Sequence, residues 1–201
     1  SAISYRVDKG FDHFSIALSV GVQKMVRSDK ASSGIMFTID TESGFENVVL
    51  INSIFGLGEN IVQGKVTPDE FYVFKPTGAI IYKHLSAKNI KMIYDDKNKL
   101  SPVKDVPVAD KDQLAASITD EQVKTLAKWG MIIEKHYGRA MDMEWALDGV
   151  DGKLYIVQAR PETIHSVRDH NVIEDYVISK KSKVLVHGRS VGSKVGAGEV
   201  N

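Results

Sequence analysis

The stretch "MDMEWALDGVDGKLYIVQAR" occupies residues 141–160. Its apolar Met143, Trp145 and Leu147 alternate with Asp142, Glu144 and Ala146, the period of a half-buried strand. A turn rich in Asp and Gly follows. Alternation then resumes, with Leu154, Ile156, Gln158 and Arg160 on one face and Tyr155, Val157 and Ala159 on the other. The pattern predicts a β-hairpin. Side chains two apart on a strand point the same way, and pairing brings the two sets within reach. Two acids, an amide and a guanidinium are thus expected on neighbouring strands.

Two chemistries suit that set. Carboxylate and amide oxygens are hard ligands that suit Mg²⁺, which completes its shell with phosphate and water. A guanidinium beside them is a planar clamp for a phosphate. The plainer reading is a salt-bridge ladder on a solvated sheet face, and spacing alone favours it. Gln158 favours the metal, because an uncharged amide between Val157 and Ala159 adds nothing to a ladder of charges.

The surrounding segments frame the hairpin. Residues 119–137 read as a helix. Thr119 with Gln122 has the capping-box spacing, Asp120 and Glu121 suit its positive end, and Gly138 is a natural stop. Val123, Leu126, Ala127, Gly130, Ile133 and Tyr137 fall on one face. Upstream, residues 13–27 read as a strand ending near Arg27, "SDKASSG" as a loop, "IMFTID" (35–40) as a second strand and "NVVLINSIF" (47–55) as a third, buried on both faces. Short turns between these predict an antiparallel meander. Further strands are expected at 71–75, Ala79–His84 and Ile90–Tyr94, with a turn at Pro76, Thr77 and Gly78. Residues 95–118 read as charged loop, and 166–183 as a polar linker. A new strand and a glycine-rich run begin at 184.

"GLGENIVQG" (56–64) lacks the Lys-Ser/Thr end of a P-loop and the spacing of a dinucleotide fingerprint. A strand-to-helix turn with glycines at special backbone angles is favoured over a phosphate loop. None of the six histidines pairs with another at metal-ligand spacing. Lys+Arg and Asp+Glu are both 26, so bulk charge offers no case for nucleic acid or an acidic membrane. Without cysteine, disulfides and thiolate metal sites are excluded. No apolar run is long enough to span a bilayer and no leader pattern opens the chain, which points to the cytoplasm.

Four segments, "VGVQKMVRSD" (20–29), "SGIMFTIDTESGF" (33–45), "FGLGENIVQGKVTPDEFYVFKP" (55–76) and "DMEWALDGVDGKLYIVQARPET" (142–163), together resemble the phosphoenolpyruvate synthases, the ATP:pyruvate,water phosphotransferases. The likeness extends over nearly all of residues 3–198. Pyruvate phosphate dikinase and rifampicin phosphotransferase share the layout less closely. The resemblance implies an α+β, ATP-grasp-like domain at 1–165, a mainly antiparallel sheet with helices packed on it. Residues 184–201 would then open a swivelling phosphohistidine domain.

ATP is implied as substrate and Mg²⁺ as cofactor. Glu144 and Gln158 match metal-facing positions, and Asp142 the acid before them. Arg160 matches the arginine on the transferred phosphate, which gives Arg160 and Asp142 catalytic roles. Gln23, Lys24 and Met25 match the strand edge lining the adenine site. The implied partners are the phosphohistidine domain of the same protein and pyruvate, bound in a separate barrel. A homodimer is a further expectation. The other ATP-grasp subdomain, the Gly-Gly-x-Thr-x-His segment and the barrel are not matched here, so the resemblance implies part of a longer gluconeogenic enzyme. This part alone is expected to be inactive and to self-associate.

Overall fold

The computed structural model describes residues 2–15, 17, 19–95, 97–98 and 101–163. The expected linker and the strands of 184–201 lie outside the described residues. A short helix α1 (Ala2–Asp8) opens the chain. The strand expected to end near Arg27 is not formed: residues 19–27 have no regular structure and lead into a 3-10 turn at Ser28–Lys30. Val20 and Val22 stand exposed. Alternation records which side chains can share a face, but a strand also needs a neighbouring backbone to bond.

The strand β1 (Ser32–Phe37) starts inside the segment that reads as loop. Serine and glycine are there because space is short. Ser32 Oγ donates to Ser117 O at 2.6 Å and Ser33 Oγ to Gly56 O at 2.6 Å. A Cβ on Gly34 would lie 1.9 Å from Asn52 O and 2.7 Å from the Trp145 ring. These are packing choices that look like turn chemistry. β2 (Val48–Phe55) is buried along nearly its whole length, as its β-branched run predicts.

A one-turn helix α2 (Glu59–Val62) follows the glycines of 56–58, the favoured strand-to-helix reading. Gly56 has φ +81°, and a Cβ there would meet Met92 O at 2.4 Å. β3 (Asp69–Phe74) and β4 (Ala79–His84) form the expected hairpin, with Gly78 at φ +67° in its turn. β5 (Ile90–Tyr94) pairs with β6 (Val103–Pro107), a strand within the segment that reads as charged loop. Its half-exposed, charged sequence hides the alternation.

The helix α3 (Asp120–Tyr137) carries the predicted capping box with both bonds made, and Gly138 closes it in the left-handed conformation. Of its predicted face, Val123, Leu126, Ala127 and Gly130 are buried and Ile133 packs on the core, while Tyr137 is exposed. The hairpin β7 (Met141–Leu147) and β8 (Leu154–Pro161) follows.

The strands form one antiparallel six-stranded sheet, order β4-β3-β2-β1-β7-β8, beside the two-stranded β5-β6 sheet. The fold is therefore α+β and dominated by antiparallel sheet. Its meander is β1 to β4, and the last hairpin joins β1 from the other side. One face of the sheet packs on α3 through Met36, Val49, Ile51, Phe71, Val73, Met141, Met143 and Trp145 against Val123 and Leu126. At roughly 1.5–3 kcal/mol for each fully buried large apolar side chain, this face is the main source of stability. No described helix is long and apolar enough to cross a membrane.

Candidate functional site

The face of the sheet away from α3 carries the polar residues. Asp142 stands opposite Arg160, and Glu144 opposite Gln158. The expectation that Leu154, Ile156, Gln158 and Arg160 share one face is corrected by a β-bulge. Register shifts between Glu144 and Trp145, so that Trp145 faces Ile156 and Val157 is the extra residue. Leu154 and Ile156 pack on the core with Trp145, while Gln158 and Arg160 turn to the other side. Bulges re-aim side chains in this way, and are common beside active sites.

The two cross-strand pairs differ in state. Arg160 Nε donates to Asp142 Oδ2 at 2.8 Å, with Nη2 2.7 Å from the same oxygen. That pair is a ladder contact, as the plainer sequence reading expects. Among the described residues, Glu144 and Gln158 make no side-chain hydrogen bond or ion pair. The row continues across the sheet from Glu144 to Ile35, Asn52 and Glu70. Asn52 Oδ1 is shielded from solvent and has no hydrogen-bond partner among the described residues.

A groove of about 460 Å³ runs over this face. Ser33, Ile35, Glu144, Ala146 and Val157 line it from the sheet as a floor, and Leu57, Gly58, Glu59 and Val62 and the wall of residues 23–26 complete its lining. Tyr94, whose hydroxyl donates to Met25 Sδ at 3.1 Å, also lines it; burial pushes its ionisation up. At the foot of the 23–26 wall, Arg27 donates twice to Asp29 at 2.8 Å, which holds that carboxyl below its usual range. Farther along, Lys24 Nζ donates to Asp151 Oδ2 at 3.0 Å and to Tyr155 OH at 3.4 Å. These bonds raise the lysine's pKa, the Asp151 bond most. Asp151 is held at about 2, first by the Tyr155 hydroxyl it accepts and then by the Lys153 N–H. Asp148 is also lowered, chiefly by the Val150 N–H.

Residues 1–180 match the family model of the pyruvate phosphate dikinase AMP/ATP-binding domain. The chain belongs to this family. Within the pyruvate phosphate dikinase family it is similar to the phosphoenolpyruvate synthases of Pseudomonas aeruginosa (56% identical), Escherichia coli (53%) and Pyrococcus furiosus (40%), each match covering 99% of this chain. It spans only about a quarter of those curated relatives: 26%, 26% and 24% of their lengths.

For a pyruvate phosphate dikinase-type domain, the geometry gathers the expected residues. Gln23, Lys24, Met25 and Glu144 line one groove, and Gln158, Asp142 and Arg160 stand beside it on the same face. Sequence reading did not single out Ser33, Ile35, Glu59 and Tyr94, which line the groove, or Asn52, which lies in the cross-strand row of Glu144. The signal for Ile35 and Asn52 is register: residues directly opposite Glu144, strand by strand, share its face. Among the described residues, no cluster of three or more His, Cys, Asp or Glu is arranged to hold a metal ion. Glu144 with Gln158 nevertheless fits Mg²⁺, which is commonly held by one or two protein oxygens plus substrate phosphates.

Proposed function

We propose that this chain carries the metal and phosphate contacts of an ATP-grasp nucleotide-binding domain in a cytoplasmic phosphoenolpyruvate synthase. In this reading residues 1–165 belong to that domain, 166–183 are a linker and 184–201 open the swivelling phosphohistidine domain. The whole enzyme converts ATP, pyruvate and water to AMP, phosphoenolpyruvate and phosphate, with the phosphoryl group carried on a histidine of the mobile domain. Family membership and the names of the relatives support the reaction class.

One observation supports the site most: Glu144, which lines the groove, faces Gln158, and neither makes a side-chain hydrogen bond or ion pair among the described residues, while Asp142 and Arg160 are paired. A ladder would engage all four. Glu144 and Gln158 would hold Mg²⁺ through their side-chain oxygens. The ion, when bound, neutralises charge on the phosphate oxygens. Asp142 orients Arg160, and the guanidinium, with its side chain 66% exposed, has further N–H donors for the phosphoryl group. The wall at 23–26 is the edge on which the adenine rests. Phosphoryl transfer needs mostly such positioning and charge neutralisation.

The test is turnover. In a protein extended to the length of its relatives, Glu144→Ala, Gln158→Ala and Arg160→Ala should each abolish pyruvate-dependent ATP consumption with the fold intact by circular dichroism. Near-normal turnover in all three rejects the site. Because the matched family bears the dikinase name, phosphate dependence is a second measurement. A strict need for inorganic phosphate as co-substrate would assign the chain to a pyruvate phosphate dikinase.

A further inference from the structure

The wall at 23–26 is unusual in what holds it. Residues 19–27 belong to no strand, so no ladder of backbone bonds fixes them. Their side chains add little burial: Val22 is 96% exposed and Met25 64%. The wall's attachments run to the β7–β8 turn, where the Asp148 carboxylate accepts from the Arg27 N–H. At one end Gly149 N–H donates to Arg27 O at 3.1 Å, in a contact so close that a Cβ on Gly149 would lie 2.5 Å from Lys30 Cβ. At the other, Lys24 reaches the turn with its ammonium. Nζ lies 3.0 Å from Asp151 Oδ2, 3.6 Å from Asp148 Oδ2 and 3.4 Å from the Tyr155 hydroxyl, 5.2 Å from the centre of that ring.

The receiving end is held by its own hydrogen bonds. Tyr155 OH donates to Asp151 Oδ2 at 2.6 Å, and Lys153 N–H donates to Asp151 Oδ1 at 2.9 Å. Asp148 is buried, and its Oδ1 accepts from Val150 N–H at 2.7 Å. The same hairpin bears Glu144 and Gln158 farther along its strands.

We propose that Asp151 and Tyr155 are positioning residues for the nucleotide. They grip Lys24 and so set the distance between the groove wall and Glu144, with Gln158 opposite it on the next strand. This rests on the proposed ATP site. It also gives Lys24 a different task from a phosphate ligand: its ammonium is held by the turn, and its contribution to ATP binding is the placement of the backbone around it. One hairpin then determines both where the metal sits and where the base rests.

The two roles for Lys24 predict opposite results when Asp151 loses its charge. A phosphate-binding lysine would be released by Asp151→Asn, and the KM for ATP would fall or stay the same. A latch would be loosened, and the KM would rise by about fivefold with kcat at saturating ATP preserved, the size expected for an exposed, screened pair. Tyr155→Phe, which keeps the ring and removes the hydroxyl, should shift KM the same way by less and guards against misfolding of the first variant. Raising ionic strength screens the phosphate contacts of both proteins, so KM should rise in each, and by more in the unaltered protein than in Asp151→Asn. The experiment is steady-state kinetics on protein of the relatives' length, with Glu144→Ala alongside. A KM that is unchanged or lowered in Asp151→Asn overturns the latch, as does a parallel loss of kcat and melting temperature. Retained turnover in Glu144→Ala would instead strike at the metal floor, and the KM comparison would still read the latch.

Discussion

Two lysine–aspartate pairs in this protein have the same chemistry and opposite settings. Lys88 and Asp69 are both fully buried, with Nζ 2.5 Å from Oδ1. Asp69 also accepts from Ser86 N–H at 3.1 Å and from Ser117 N–H and Oγ at 2.9 and 2.7 Å. Lys88 in turn donates to Ser86 O at 2.8 Å. Every polar atom of the carboxylate is engaged, and the pair pins β3 to the segments around 86–88 and 117. Lys24 and Asp151 lie 3.0 Å apart with side chains 62% and 28% exposed. Water competes for both partners, so this pair adds little to folding and can act only on local placement. Burial, not charge, decides which pair holds the fold and which tunes a groove.

The contrast breaks first on Asp69→Ala. Stranding a buried ammonium and three donors should cost about 3–5 kcal/mol in urea denaturation, and a loss under about 1 kcal/mol would contradict it. Replacing both partners, Asp69→Leu with Lys88→Met, should recover part of that. The Ser86 and Ser117 N–H groups stay stranded, so the double variant should sit about 1–3 kcal/mol below the parent.

Asp142→Asn probes an intermediate case, with side-chain exposures of 66% for Arg160 and 15% for Asp142. Stability should change by under about 1 kcal/mol. A misaimed Arg160 should nevertheless reduce kcat by up to about a hundredfold. Equal, small changes in both would make the pair a plain surface contact.

The smallest expected effect is none at all. Asp151 is lowered to about 2, so its contribution is present above its unfolded value near 3.9 and is lost only as pH falls through the folded one. Lys24 is raised above 10.5, so its contribution is complete below that value and lost as pH rises past it. The KM ratio of Asp151→Asn to unaltered protein should therefore be flat between about pH 4 and about pH 10. A step near neutrality would mean that another group controls the wall.

Much of this was legible in the chain because it is local. The capping box of Thr119 and Gln122, the stop at Gly138, the turn at Gly78 and the alternation of β7 each need only neighbours in sequence. So do the pairs Asp142 with Glu144 and Gln158 with Arg160, each two apart in one strand; that the two pairs share a face does not. The family likeness then directed attention to Gln23, Lys24 and Met25, which patterning alone had read as strand.

What the tertiary structure decided are the features that depend on partners. Ser32, Ser33 and Gly34 form a strand because β2 and Trp145 come too close for larger side chains. Residues 19–27 do not, because no described strand pairs with them. The bulge at Val157 turns Gln158 away from Ile156 and toward Glu144, which a strict period of two places on the wrong face. Amino-acid order specifies which groups are available and how they repeat. Their distances across the sheet come from packing, since a single inserted residue or a missing neighbour reverses which way a side chain points.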